Sequence, residues 1–101
     1  MSFPEPVERL LWEYDLEALR AEPELPEIVI ERVMARGGME PMRWLMKATS
    51  PERRRRFLEE RGRKVLAPRE LNFWALFSSV PEERTAEWVR DARKREAAWR
   101  G

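Results

Sequence analysis

The reading of residues 67–81, Ala67-Pro68-Arg69-Glu70-Leu71-Asn72-Phe73-Trp74-Ala75-Leu76-Phe77-Ser78-Ser79-Val80-Pro81 (APRELNFWALFSSVP), decides the fold. Leu71 to Phe77 is apolar almost all round, which predicts a helix buried by neighbours on several sides. Two X-Pro steps bracket it. Proline is favoured at the first position of a helix and disfavours helix in the residue before it, so one helix is expected at about 68–79 and another after Val80-Pro81. Trp12, Trp44, Phe57 and Leu58 are its expected packing partners, because large apolar side chains at helical spacing belong to the core far more often than to a ligand platform. Asn72 is the odd residue. A buried amide beside two aromatics has to find hydrogen-bond partners, so it reads as a structural amide tying down a loop carbonyl, with a functional contact as the alternative.

The same punctuation runs outward through the chain. Ser50-Pro51 offers a hydroxyl cap followed by Pro, Glu40-Pro41 opens another apolar-periodic segment, Pro23 and Pro26 precede a third, and Gly37-Gly38 and Gly62 stand where helices should stop. Helices are therefore expected at about 5–12, 26–36, 40–48, 51–61, 68–79 and 82–99. Ile28-Val29-Ile30 is β-branched, but it continues into Val33-Met34 with Ile30 and Met34 four apart, so helix wins on length. The expectation is an all-α fold: a compact, single-domain bundle of five to six short helices over residues 1–101.

A chain of 101 residues supports one modest core, and 43% hydrophobic residues suffice to build it despite 39% charged ones. No apolar run approaches the roughly 20 residues of a membrane span, and Met1-Ser2-Phe3-Pro4-Glu5 lacks the layout of a signal peptide. With no Cys there is no disulfide framework, and the chain reads as cytoplasmic, without membrane partners. Arg outnumbers Lys 17 to three, Gln is absent and Asn72 is the only Asn, a depletion of thermolabile amides that points to a thermophile.

The absence of His removes the commonest general acid or base and the commonest transition-metal ligand. Neither Cys nor a Gly-rich phosphate loop is present. Glu59-Glu60 and Glu82-Glu83 point about 100° apart on a helix and so do not form carboxylate sites. The expectation is a non-enzymatic protein with no catalytic residue, no metal and no cofactor.

Charge is unevenly placed. Residues 1–40 carry four basic and ten acidic side chains, residues 41–69 ten basic and three acidic, and residues 70–101 six of each. The basic middle contains Pro51-Glu52-Arg53-Arg54-Arg55-Arg56-Phe57-Leu58-Glu59-Glu60-Arg61-Gly62-Arg63-Lys64. Four successive helical residues sweep about 300°, so Arg53 to Arg56 cannot share one ligand. Arg54 and Arg61 flank Phe57 and Leu58, where their stems pack and their heads snorkel outward. Arg55 lies between Glu52 and Glu59 and is neutralised. Arg53, Arg56, Arg63 and Lys64 remain as the basic surface. It reads as a solvated face, as a surface for an acidic protein, or as a site for weak, sequence-independent nucleic-acid binding. A helix-turn-helix fits poorly, since the helix after Pro81 begins Glu82-Glu83, which repels phosphate.

Along the last helix, Thr85, Trp88, Val89, Ala92 and Trp99 form a thin apolar stripe on a charged segment. Trp88 and Trp99 are 11 residues apart, close to three turns, and share a face. Either Trp88 packs on the core while Trp99 ends the helix in water, or the stripe docks on a partner protein or a second copy. In the second reading Trp88 and Trp99 are anchors inside a charged rim that includes Arg93 and Arg95.

LLWEYD (10–15), IVIERVMARG (28–37), MRWL (42–45) and LNFWALFSSVP (71–81) together resemble a small family of prokaryotic proteins of unknown function. Its members read L-F-W-D-x-D, then I-I-E-R-V-L-x-R-G, R-W-L and L-x-P-x-x-L-N-F-W-A-L-x-F-G-I-P, in the same order. This chain departs from that pattern with Glu13 for Asp and with Ser78-Ser79 for Phe-Gly. The likeness implies a small accessory protein similar to the antitoxin partners of nucleotidyltransferase-type toxins. It brings no catalytic residue with it. The sequence therefore leads to an expectation of a protein–protein interaction module, with a nucleic-acid accessory protein as the alternative.

Overall fold

Prolines and capping side chains set the helix starts. The computed structural model describes residues 2–100. It is 77% helical, with seven helices and no strand among the described residues. The all-α expectation holds, while the count exceeds the five to six expected. Among the described residues no helix is long and apolar enough to cross a membrane. The chain divides into two compact units, Met1–Ala48 and Thr49–Gly101.

In the first unit, α1 (Glu5–Glu8) starts at Pro4, whose carbonyl accepts from Val7 and Glu8 N–H, and it tightens into a 3₁₀ turn, Arg9–Leu11. Helix α2 (Leu16–Ala21) is the one not expected. Asp15 caps it, accepting from the Glu17 N–H at 3.0 Å and the Ala18 N–H at 3.4 Å. It buries no residue, so it has no apolar stripe for a periodicity argument to find. Helix α3 (Glu27–Arg36) buries Val29, Ile30, Val33 and Met34, the i, i+1, i+4, i+5 face of an amphipathic helix. Helix α4 (Met39–Ala48) packs against α1 and α3 and buries Pro41 and Leu45, and Trp44 meets Phe3 edge to face at 5.9 Å.

In the second unit, α5 starts at Ser50, whose Oγ accepts from the Arg53 N–H at 3.1 Å as the sequence implies. It runs as Pro51–Phe57, widens through a π turn at Leu58–Gly62 and closes with an α turn, Arg63–Val65. Gly62 therefore sits inside the helix and does not end it. Its reason is space: a Cβ there would lie 2.7 Å from Leu58 Cδ2 and 3.1 Å from Phe57 Cε2. Helix α6 (Pro68–Leu76) stops three residues short of the expected end, because Ser79 turns into the left-handed region at φ 57°. Helix α7 (Glu82–Arg100) packs on it.

The core of this unit holds Phe57, Leu58, Leu66, Leu71, Trp74, Ala75, Trp88 and Ala92. At about 1.5–3 kcal/mol for each large side chain, such burial is the main force holding the helices together. Arg54 lies inside as well, which corrects the expectation that its head snorkels outward. Its Nη1 donates to the Thr49 carbonyl at 2.7 Å and to Thr49 Oγ1 at 3.1 Å, and its Nη2 donates to the Phe77 carbonyl at 2.6 Å. A buried charge with this many acceptors is tolerated where a bare one is not.

Candidate functional site

The expectation of a helix buried on several sides fails on one side of α6. Leu71, Trp74 and Ala75 turn inward, but Leu76 is 75% exposed, Phe77 45%, and Asn72 is exposed, not buried. A helix apolar all round carries more hydrophobic surface than this unit covers, and the remainder faces water.

Of these exposed residues, Asn72 and Leu76 line a groove along the α6–α7 hairpin. One part, of about 710 Å³, is lined by Phe73, Leu76, Val80 and Thr85 among others. The next, of about 690 Å³, is lined by Pro68, Val89, Arg90 and Arg93. Arg69, Asn72 and Ala86 belong to both parts, so the two are continuous. Phe73 braces the floor, 5.4 Å from Trp74 and 5.1 Å from Phe77 between ring centroids. Arg69, Arg90 and Arg93 are exposed, and none has a carboxylate partner among the described residues. The groove is thus an apolar trough with a cationic rim, interrupted by Glu82 at one end.

The expected partner-binding residues separate. Trp88 is 6% exposed and belongs to the core, whereas Trp99 is 90% exposed, so the two do not form one accessible stripe. The apolar stripe is covered from Thr85 to Ala92, and beyond it the helix is half-buried at Arg95 and exposed at Trp99. Arg95 is also structural. Its guanidinium donates to the Arg63 carbonyl at 3.1 Å and the Leu66 carbonyl at 3.0 Å, stapling α7 to the end of α5. Arg93 alone of the four lies on the groove.

The basic surface of α5 is similarly thinned. Arg63 folds back to donate from Nε to the Glu59 carbonyl at 2.8 Å, and Arg53 is half-buried with Nη1 enclosed. Arg56 and Lys64 are exposed. Arg55 pairs with Glu59 at 3.8 Å as expected, and Arg84 also reaches that carboxylate at 2.7 Å. Two freely exposed cations are a weak counter-charge for a phosphate backbone.

The first unit holds a second exposed feature. Trp12, expected in the core, is 78% exposed. Its turn is nonetheless firmly held. The Tyr14 N–H donates to the Leu11 carbonyl at 2.9 Å, and Leu11 is fully buried. Arg32 pairs with Glu13, donates to the Leu10 carbonyl at 3.3 Å and lies 5.2 Å from the centre of the Tyr14 ring. The Arg32 pKa is raised, chiefly by its hydrogen bond to Glu13.

Among the described residues no group of three acidic side chains gathers where it could hold a metal ion. No family model, curated protein or solved structure matches the chain. Sequence reasoning passed over Arg69, Phe73 and Leu76 as site residues. The available signal was that Leu71–Phe77 offers an apolar face for every neighbour, in a chain with few helices to supply them.

Proposed function

We propose that this chain is a non-enzymatic, cytoplasmic protein-binding module, and that the α6–α7 groove takes an acidic segment of a partner carrying a large apolar anchor. The observation that carries this reading is a floor of exposed Leu76 and half-buried Phe73, framed by the guanidiniums of Arg69, Arg90 and Arg93, which have no carboxylate partner among the described residues. An apolar centre inside a charged rim is how protein partners gain both affinity and choice, the anchor filling the trough and the rim steering the approach. Nucleic acid fits less well, since phosphates gain nothing from an apolar floor and α5 presents few free cations. The resemblance to antitoxin-like proteins supports a nucleotidyltransferase-type toxin as that partner, and in this reading the chain is the antitoxin half of the pair.

Asn72 supplies the test. As the only Asn in a chain without Gln, it gives the only side-chain carboxamide signals in an amide-detected NMR spectrum, and it lines both parts of the groove. A synthetic peptide with one Trp among Glu residues is expected to shift those signals. Binding should weaken with salt and fall at least tenfold in the Arg90→Glu, Arg93→Glu variant. Equal binding of a peptide with Lys in place of Glu, or binding that leaves the Asn72 signals still, overturns the reading.

A further inference from the structure

We infer that one segment the groove takes is the Trp12 turn of a second copy, so that the protein associates head to tail. This rests on the groove reading above and names the partner for it. The groove calls for a large apolar side chain flanked by carboxylates. Two Trp side chains stand in water, Trp12 at 78% and Trp99 at 90% exposure, and charge separates them. Trp99 belongs to the same unit as the groove, which carries 14 basic and nine acidic side chains, so charge does not draw it to the rim. Trp12 lies within five residues of Glu8, Glu13, Asp15 and Glu17. Glu8 and Glu13 are paired with Arg20 and Arg32 respectively, while Asp15 accepts only backbone N–H groups and Glu17 has no cationic partner among the described residues. The carboxylates of Asp15 and Glu17 thus follow Trp12 within five residues without a cationic partner, and the guanidiniums of Arg69, Arg90 and Arg93 line the trough without a carboxylate partner, among the described residues.

The wider charge distribution acts in the same direction. The first unit carries six basic and ten acidic side chains and the second 14 basic and nine acidic, so the first unit of one copy attracts the second unit of another, while like units repel. The turn is also already shaped for docking. Leu11 is sunk in the core, Asp15 is committed to capping α2, and Arg32 holds Leu10, Glu13 and Tyr14, so little backbone freedom remains to be lost on association. The contact joins two different surfaces, and is therefore heterologous: a pair so joined still has one free turn and one free groove.

That asymmetry makes the inference testable with full-length protein. Sedimentation velocity over a concentration series is expected to show reversible association of the wild type that weakens as salt is raised. Trp12→Ala loses the anchor and Arg90→Glu with Arg93→Glu loses the rim, so each variant alone should associate at least tenfold more weakly. An equimolar mixture should form a one-to-one dimer and stop there, because one variant supplies the groove and the other the turn. Trp12→Phe should restore part of the association, which separates anchoring from any effect on folding. A wild type that stays monomeric into the millimolar range overturns the inference, as does a mixture no more associated than its components. If that monomer still shifts its Asn72 signals with the acidic Trp peptide, the groove reading stands and only the second copy is ruled out; loss of both removes the groove as well.

Discussion

Arg54 Nη2 donates to the Phe77 carbonyl at 2.6 Å, so a side chain from the first turn of α5 closes the end of α6. The other arm of the fork holds the Thr49 carbonyl at 2.7 Å. Burial lowers the pKa of this guanidinium, with Glu52 opposing, yet an arginine stays charged at any ordinary pH. Its role is to satisfy carbonyls that helix ends leave open. Arg54→Met keeps most of the volume and removes the donors, so it should cost about 3 kcal/mol, given about 1.5–3 kcal/mol for a hydrogen bond to a charged group. Arg54→Lys should recover only part of this, since an ammonium lacks the planar fork. Urea denaturation of both variants checks the order, and an unchanged midpoint for Arg54→Met would deny the clamp any role in stability.

Trp88 and Trp99 share a helix and differ in everything that decides stability. Trp88 is 6% exposed and Trp99 90%. Trp88→Ala should cost about 3–5 kcal/mol, as truncating a buried aromatic does. Trp99→Ala should change stability by under about 1 kcal/mol. Thermal melts of the two proteins provide the comparison. Equal losses would mean that the last turns of α7 are as well packed as its middle.

How much of this was legible in the sequence depends on which force placed each residue. Helix starts were readable because Ser50 and the X-Pro steps act locally, through a cap and a fixed dihedral. Trp74 in the core was readable because burial follows hydrophobicity. Arg54 was not. Its neighbours in the arginine run carry the same side chain, and only the Thr49 and Phe77 carbonyls, the latter 23 residues away, select it for burial. Trp12 misled for the opposite reason, since its ring is as apolar as that of Trp74 while Arg32 and Leu11 fix its turn at the surface. The rim cations Arg69 and Arg93 are far apart in sequence, and the hairpin brings them onto one groove.

Gly62 sets two opposed effects against each other. Gly→Ala inside a helix gains about 1 kcal/mol from propensity alone. Here the added methyl would lie 2.7 Å from Leu58 Cδ2 and 3.1 Å from Phe57 Cε2, and both side chains are fully buried. Overpacking of this kind costs about 1–3 kcal/mol, so the clash should win and Gly62→Ala should lose about 1 kcal/mol. Gly38, where an added methyl meets nothing within 4 Å, is the control and should tolerate alanine within about 0.5 kcal/mol. A gain at Gly62 would show that the π turn relaxes to regular helix once a side chain is supplied.

Ser79 is the only described non-glycine residue at positive φ, 57°, and it makes the bend that ends α6 and turns the chain toward α7. A side chain in the left-handed region costs about 1–2 kcal/mol through its Cβ. Glycine removes that cost and adds about 0.5–1 kcal/mol of lost chain freedom on folding. Ser79 is exposed and none of the described hydrogen bonds uses its hydroxyl, so nothing else is lost on substitution. Ser79→Gly should therefore stabilise the protein by about 0.5 kcal/mol, and glycine is also the residue that the resembled pattern carries here. Ser79→Val should do the reverse, because a β-branched side chain fits that backbone worst. Denaturant midpoints should rank Gly above Ser above Val, with unchanged m-values. The opposite order would mean that the bend follows from the packing of α6 on α7 and not from the local conformation of Ser79.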